Sequence, residues 1–93
     1  MIVGIVGAGA WGTALAILSA RSGNTVVLWS HSGNVTEFEG VEVPSGITVT
    51  RNMNELIDTD CWLIATPARY FRKTIQKSRD FYDCKPIIIC SKG

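Results

Sequence analysis

Three glycines stand at the spacing that a phosphate-binding turn requires. Gly7-Ala8-Gly9-Ala10-Trp11-Gly12 reads G-x-G-x-x-G. The run follows the apolar stretch Met1–Val6 and opens Ala10–Ser22, which is rich in alanine, leucine and isoleucine. A strand feeding directly into a helix is the context in which this pattern carries chemistry. Gly7 would allow the tight turn, Gly9 would let a pyrophosphate approach the backbone, and Gly12 would let the helix pack close to the strand. The helix amino terminus would then present N–H groups and a partial positive charge to the phosphates. The chemistry expected is the binding of a dinucleotide. A glycine-rich turn without a ligand has no need of three glycines at this spacing.

Cofactor choice is expected near the end of the second strand. A carboxylate about 20 positions past the glycines would hydrogen-bond the ribose 2′-hydroxyl of NAD. Here Thr25–Trp29 is followed by Ser30-His31-Ser32, with no carboxylate. The repulsion against a 2′-phosphate is thereby removed, and His31 and the two serines have hydrogen bonds to donate. The expectation is a cofactor of NAD or NADP, tilted toward NADP. The competing view is that His31, the only histidine, is a plain exposed loop residue.

The elements that must position these residues follow from pattern. Met1–Val6 and Cys61–Ala65 (CWLIA) are short apolar runs and read as buried strands, Thr25–Trp29 (TVVLW) and Pro86–Cys90 (PIIIC) read as strands, and Ile47–Thr50 reads as a further short strand. Ala10–Ser22 reads as a helix with an apolar face through Ala14, Leu15 and Leu18, ended by Gly23-Asn24. Residues 30–46 have turn composition. Asn52 or Asn54 would cap a short helix through Glu55-Leu56-Ile57. Thr66 as N-cap and Pro67 at the first helical position would open a second long helix. Phe71 and Ile75 would mark its buried face, leaving Arg69, Arg72, Lys73 and Lys77 solvated. Strands alternating with helical segments imply an α/β fold: a doubly wound parallel sheet of Rossmann type, with the first strand central and the ligand crevice at its carboxyl end.

Bulk properties exclude several alternatives. The chain has 93 residues, 46% hydrophobic and 18% charged, with a formal net charge of +1, the balance of one folded domain spanning 1–93. No basic stripe or acidic tail points to a nucleic acid partner or a membrane surface. Residues 1–20 are uncharged, yet four glycines in the first twelve residues fit a turn better than a membrane span, and no positive charge precedes Arg21 as a signal peptide would need. Cys61, Cys84 and Cys90 are odd in number and lack a C-x-x-C, so neither a disulfide framework nor a metal site is indicated. Cys61 and Cys90 are expected as small buried hydrophobes, and reduced thiols point to the cytoplasm.

Beyond the glycines, Gly7-Ala8-Gly9-Ala10-Trp11-Gly12-Thr13-Ala14-Leu15-Ala16 resembles the opening signature of the NAD(P)-dependent glycerol-3-phosphate dehydrogenases. Further matches follow in order: Val27-Leu28-Trp29 with His31, Ala65-Thr66-Pro67 with Phe71-Arg72, and Ser91-Lys92-Gly93. The resemblance implies that Gly7, Gly9 and Gly12 bind the pyrophosphate, that Ala10 and Trp11 line the cofactor, and that His31 sits at the adenosine ribose or its phosphate. It implies a place for Lys92 near the nicotinamide and substrate, where a cation attracts a phosphate or polarises an oxygen. By residue type alone, Lys92 would be a surface lysine. The implied reaction interconverts dihydroxyacetone phosphate and sn-glycerol 3-phosphate for phospholipid synthesis, with a small phosphorylated substrate as the second partner.

The chain departs from the family pattern in two places. Residues 32–44 are shorter than usual and keep only Val41-Glu42-Val43-Pro44 of a longer motif. The family also continues past the Lys-Gly motif into a helical substrate domain that carries the proton-transferring lysine. On this comparison, residues 1–93 are a nucleotide domain truncated at its carboxyl end and inactive alone, with apolar surface open to homo-oligomer formation. Two other functions fit the glycine turn: a stand-alone nucleotide-binding module, or another two-domain dehydrogenase.

Overall fold

The computed structural model describes residues 1–33, 35, 43–66, 68–79 and 85–90. Five strands form one sheet: β1 (Ile2–Val6), β2 (Thr25–Trp29), β3 (Ile47–Thr50), β4 (Cys61–Ile64) and β5 (Ile87–Ile89). Their spatial order is β3-β2-β1-β4-β5, and every neighbouring pair is parallel. The chain builds outward from β1 to β2 and β3, then crosses back to place β4 on the other side of β1. That reversal is the switch point expected from the alternating pattern, and the crevice opens at the carboxyl ends of β1 and β4.

Period-two alternation gives the sheet two apolar faces. Val3, Ile5, Val26, Leu28 and Ile47 point to one face, where helix α1 (Ala10–Arg21) contributes Ala16. Val6, Trp29, Trp62 and Ile64 point to the other, joined by Met53 and Leu56 of a single 3-10 turn (Met53–Leu56). Phe71 and Ile75 of helix α2 (Ala68–Ser78) pack on this second face, as their spacing predicts. Ile5, Leu28, Leu56 and Ile64 are wholly buried, each contributing about 1.5–3 kcal/mol of apolar transfer.

Several expectations need correcting. Ala14 and Leu18 do not line the buried face of α1; both are exposed, and the buried residues are Gly12, Thr13 and Ala16. The helix is apolar nearly all round, so periodicity did not single out a face. The close approach at Gly12 selects it instead. Residues 53–56 form a 3-10 turn, capped by the Asn52 side chain, which accepts from the Asn54 N–H. The helix expected through Ile57 is thus shorter and earlier. The described part of α2 begins at Ala68, and the Thr66 hydroxyl donates inward to the Val6 carbonyl at 3.2 Å. Pro67, expected at the first helical position, lies outside the described residues.

The last strand forms as expected, and it lies at the sheet edge. Ile87, Ile88 and Ile89 are 40%, 54% and 62% exposed on an edge paired only with β4. Cys61 and Cys90 are half-buried rather than buried, because one ends the N-terminal side of β4 and the other follows this open edge. Cys84 lies outside the described residues. Among the described residues no helix is long and apolar enough to cross a membrane, and no group of side chains has the makeup of a metal site.

Lys85 fastens the start of β5 to the second face. Its buried ammonium donates to the carbonyls of Leu56 at 3.1 Å and Ile57 at 2.5 Å, and lies 5.8 Å over the Trp62 ring. These carbonyls lie at the end of the 3-10 turn, where a cation is favoured. The Trp62 indole N–H donates to the Leu56 carbonyl and to the Thr59 hydroxyl at 3.1 and 3.0 Å.

Candidate functional site

The glycine turn sits between β1 and α1 at the mouth of the crevice, and its three glycines differ physically. Gly7 has φ +113°, and a Cβ there would lie 2.9 Å from the Thr66 backbone nitrogen and 3.0 Å from the Ala65 carbonyl carbon. Both the backbone angle and the approach of the β4 end therefore demand glycine. Gly12 faces inward: a Cβ would lie 1.9 Å from the Gly7 carbonyl oxygen, so α1 packs on the turn only without a side chain. Gly9 is under neither constraint. Its φ of −76° and ψ of −169° suit any residue, and a Cβ there would meet nothing within 4 Å. The protein's own packing does not explain a glycine at position 9.

Gly9 is also the N-cap of α1, and no side chain caps it. The first turn carries no acidic residue. A 12-residue helix thus aims an uncapped, positively polarised end into open space beside Gly9. A pyrophosphate fits this arrangement in charge, in hydrogen-bond donors and in the room left at Gly9.

Ala10 and Trp11 are exposed at the same mouth. The Trp11 indole N–H crosses to the Cys90 carbonyl just past β5, at 2.5 Å. The four strand ends around the crevice are tied together as well. Val6 O accepts from the Ala65 N–H at 2.8 Å, Ile64 O accepts from the Cys90 N–H at 2.8 Å, and Trp29 O accepts from the Gly7 N–H at 3.1 Å.

At the other end of the crevice, Ser30 is buried while His31 and Ser32 are exposed. The His31 ring meets Trp29 edge-on, with centroids 6.2 Å apart and planes at 86°. The Ser30 and Ser32 hydroxyls are 3.4 Å apart. Gly33 closes this turn with φ +81°, and its N–H donates to Ser30 O at 3.2 Å.

Two nearby residues escape a one-dimensional reading. Arg51 follows β3, and the pairing of Trp29 with Thr50 brings it beside Ser30. Its Cδ, Cβ and Cγ lie 3.2, 3.4 and 3.5 Å from where a Cβ of Gly33 would stand. The strand order would have pointed to Arg51, because parallel neighbours end on the same side. Lys77, expected on a solvated face, places its ammonium 5.7 Å over the Trp29 ring. Lys92, the expected substrate-side lysine, lies outside the described residues. The structure thus brings Gly7, Gly9, Ala10, Trp11 and Gly12 together at one end of the crevice and leaves His31 at the other.

A family model described as the NAD-dependent glycerol-3-phosphate dehydrogenase N-terminus matches residues 2–93. The chain belongs to this family. A glycerol-3-phosphate dehydrogenase [NAD(P)+] of Parvibaculum lavamentivorans is 31% identical over 103 aligned positions, covering 98% of this chain. The crystal structure of a glycerol-3-phosphate dehydrogenase from Coxiella burnetii superposes with a TM-score of 0.85 at 30% identity, over 99% of this chain and 32% of that one. A ketopantoate reductase of Ralstonia eutropha shares the fold, with a TM-score of 0.82, at 17% identity over 100% of this chain and 35% of that one. The chain spans 31% of the length of the Parvibaculum relative. Fold likeness alone thus extends to a different reductase, and sequence likeness narrows it.

Proposed function

We propose that this chain is the cofactor-binding part of an enzyme that interconverts dihydroxyacetone phosphate and sn-glycerol 3-phosphate with NAD(P)(H). The observation that carries the nucleotide half is Gly9. It is a glycine that neither backbone nor packing demands, at an uncapped helix end that favours an anion. The substrate half rests on the family and on the printed activity of its relatives.

On this reading the chain's own residues take the following roles. The backbone from Gly7 to Gly12 holds the pyrophosphate against the α1 dipole. Ala10 and Trp11 border the cofactor where it leaves the turn. His31 lies at the adenosine end, where the missing carboxylate favours NADP over NAD. Lys92 supplies a cation on the nicotinamide and substrate side, attracting the substrate phosphate or stabilising charge on its oxygen. The nicotinamide, when bound, supplies the hydride chemistry, and the protein orients it. The nucleotide-binding unit is taken as 1–93, with proton transfer served from outside it.

The test is dihydroxyacetone phosphate-dependent oxidation of NADPH and NADH by the full-length polypeptide that carries this chain. Turnover with either cofactor is expected, more efficient with NADPH. Cofactor binding without turnover of this substrate would leave only the nucleotide half standing. Absence of binding to either cofactor would overturn both halves.

A further inference from the structure

We propose that Arg51 is the residue that selects NADP, by holding the 2′-phosphate together with His31. The proposal rests on the reading of the crevice as a dinucleotide site and adds a specificity residue to it.

Four observations converge. First, sheet register fixes where Arg51 stands. Trp29 pairs with Thr50, and Ser30 N–H donates to Thr50 O at 2.8 Å, so Arg51 emerges beside the turn after β2. In open parallel sheets of this kind, the adenosine ribose lies beside that turn. Second, its backbone is anchored, because the Trp29 indole N–H donates to the Arg51 carbonyl at 3.0 Å.

Third, Gly33 makes room for its stem. The Arg51 methylenes lie 3.2 to 3.5 Å from the position a Cβ of residue 33 would take. At 3.2 Å the Cδ contact is tighter than usual, so a side chain at 33 would make the arginine stem give by a few tenths of an ångström. With φ +81°, Gly33 also allows the turn that carries His31 and Ser32 on the surface. Fourth, residues 30–33 read Ser-His-Ser-Gly, offering donors and no carboxylate.

The chemistry suits the ligand. A phosphate monoester carries about −1.5 to −2 charges at neutral pH and three acceptor oxygens. A guanidinium offers a planar fork of donors that engages two of those oxygens at once. The ribose 2′-hydroxyl of NAD has no charge for that fork to meet. Arg51 therefore discriminates by attraction to one cofactor rather than by repulsion of the other.

The experiment measures dissociation constants of NADPH and NADH for the full-length polypeptide, as wild type, R51A and R51K. Arg51 is exposed, so its replacement should leave the fold intact, and circular dichroism checks this. Expected for R51A is a loss of NADPH affinity of about tenfold or more, with NADH changed by less than about twofold. R51K should recover part of the loss, because it keeps the charge without the fork. Equal weakening of both cofactors, or unchanged NADPH affinity in R51A, would overturn the assignment to Arg51. A wild-type protein that binds neither cofactor would overturn the dinucleotide reading itself, and the assignment with it.

Discussion

The Trp11 indole nitrogen donates to the Cys90 carbonyl at 2.5 Å, joining residues 79 positions apart. One belongs to the glycine turn and the other follows the last strand. Cys90 immediately precedes Ser91-Lys92-Gly93 in sequence. The contact therefore links the glycine turn to the residue just before the segment of the proposed substrate-side lysine.

Trp11→Phe keeps an aromatic ring, though a smaller one, and removes the donor. A hydrogen bond of this kind contributes about 1 kcal/mol, or roughly fivefold in an equilibrium. The full-length polypeptide should lose about that factor in kcat/KM for dihydroxyacetone phosphate, beyond any loss in cofactor affinity from the smaller ring. Steady-state kinetics with each ligand varied in turn checks this. An effect confined to cofactor binding would count against the link.

Gly9→Ala and Gly12→Ala should separate ligand binding from folding. Alanine at 12 meets the Gly7 carbonyl oxygen at 1.9 Å, which forces α1 off the turn and should cost about 3 kcal/mol. Alanine at 9 meets no protein atom within 4 Å, so stability should fall by about 1 kcal/mol or less. NADPH affinity should nevertheless drop about tenfold or more in Gly9→Ala, because the methyl occupies the pyrophosphate's approach. Urea unfolding and cofactor titration of the two variants give the comparison.

Lys85→Met should destabilise the protein without touching the glycine turn. The methionine fills similar space but leaves the Leu56 and Ile57 carbonyls without the lysine donor. Hydrogen bonds from a charged group contribute about 1.5–3 kcal/mol, so a loss of about that size is expected in urea unfolding. A stability equal to wild type would show that water replaces the ammonium at no cost.

The exposed Ile87–Ile89 edge should make a polypeptide of residues 1–93 self-associate. An unpaired apolar edge strand is a template for another chain. Ile88→Lys places a charge in the middle of that edge and should shift the polypeptide toward monomer in sedimentation velocity. Association unchanged by the lysine would place the contact elsewhere.

Much of this protein was written in local pattern. The turn glycines, the apolar strand runs and the period of α2 each act over a few residues, so sequence alone determined the doubly wound parallel fold. Phe71 and Ile75 were legible for the same reason, being four apart on an otherwise polar helix. The buried face of α1 was not, because a helix apolar on every side leaves the choice to its partner. The bond from the Thr66 hydroxyl to the Val6 carbonyl, 60 residues away, was not legible either, because it depends on the pairing of β1 with β4.

The site divides along the same line. The sequence determined the G-x-G-x-x-G spacing and that no carboxylate follows the second strand. It could not say which glycines the fold itself demands and which it does not. That distinction depends on what a Cβ would touch, and only the tertiary structure gives the neighbours: Gly7 O against residue 12, and open space at residue 9. Nor could it bring Arg51 beside Gly33 or Trp11 to Cys90. Those meetings are set by which strands lie side by side, and strand order belongs to the folded sheet, not to any stretch of the chain.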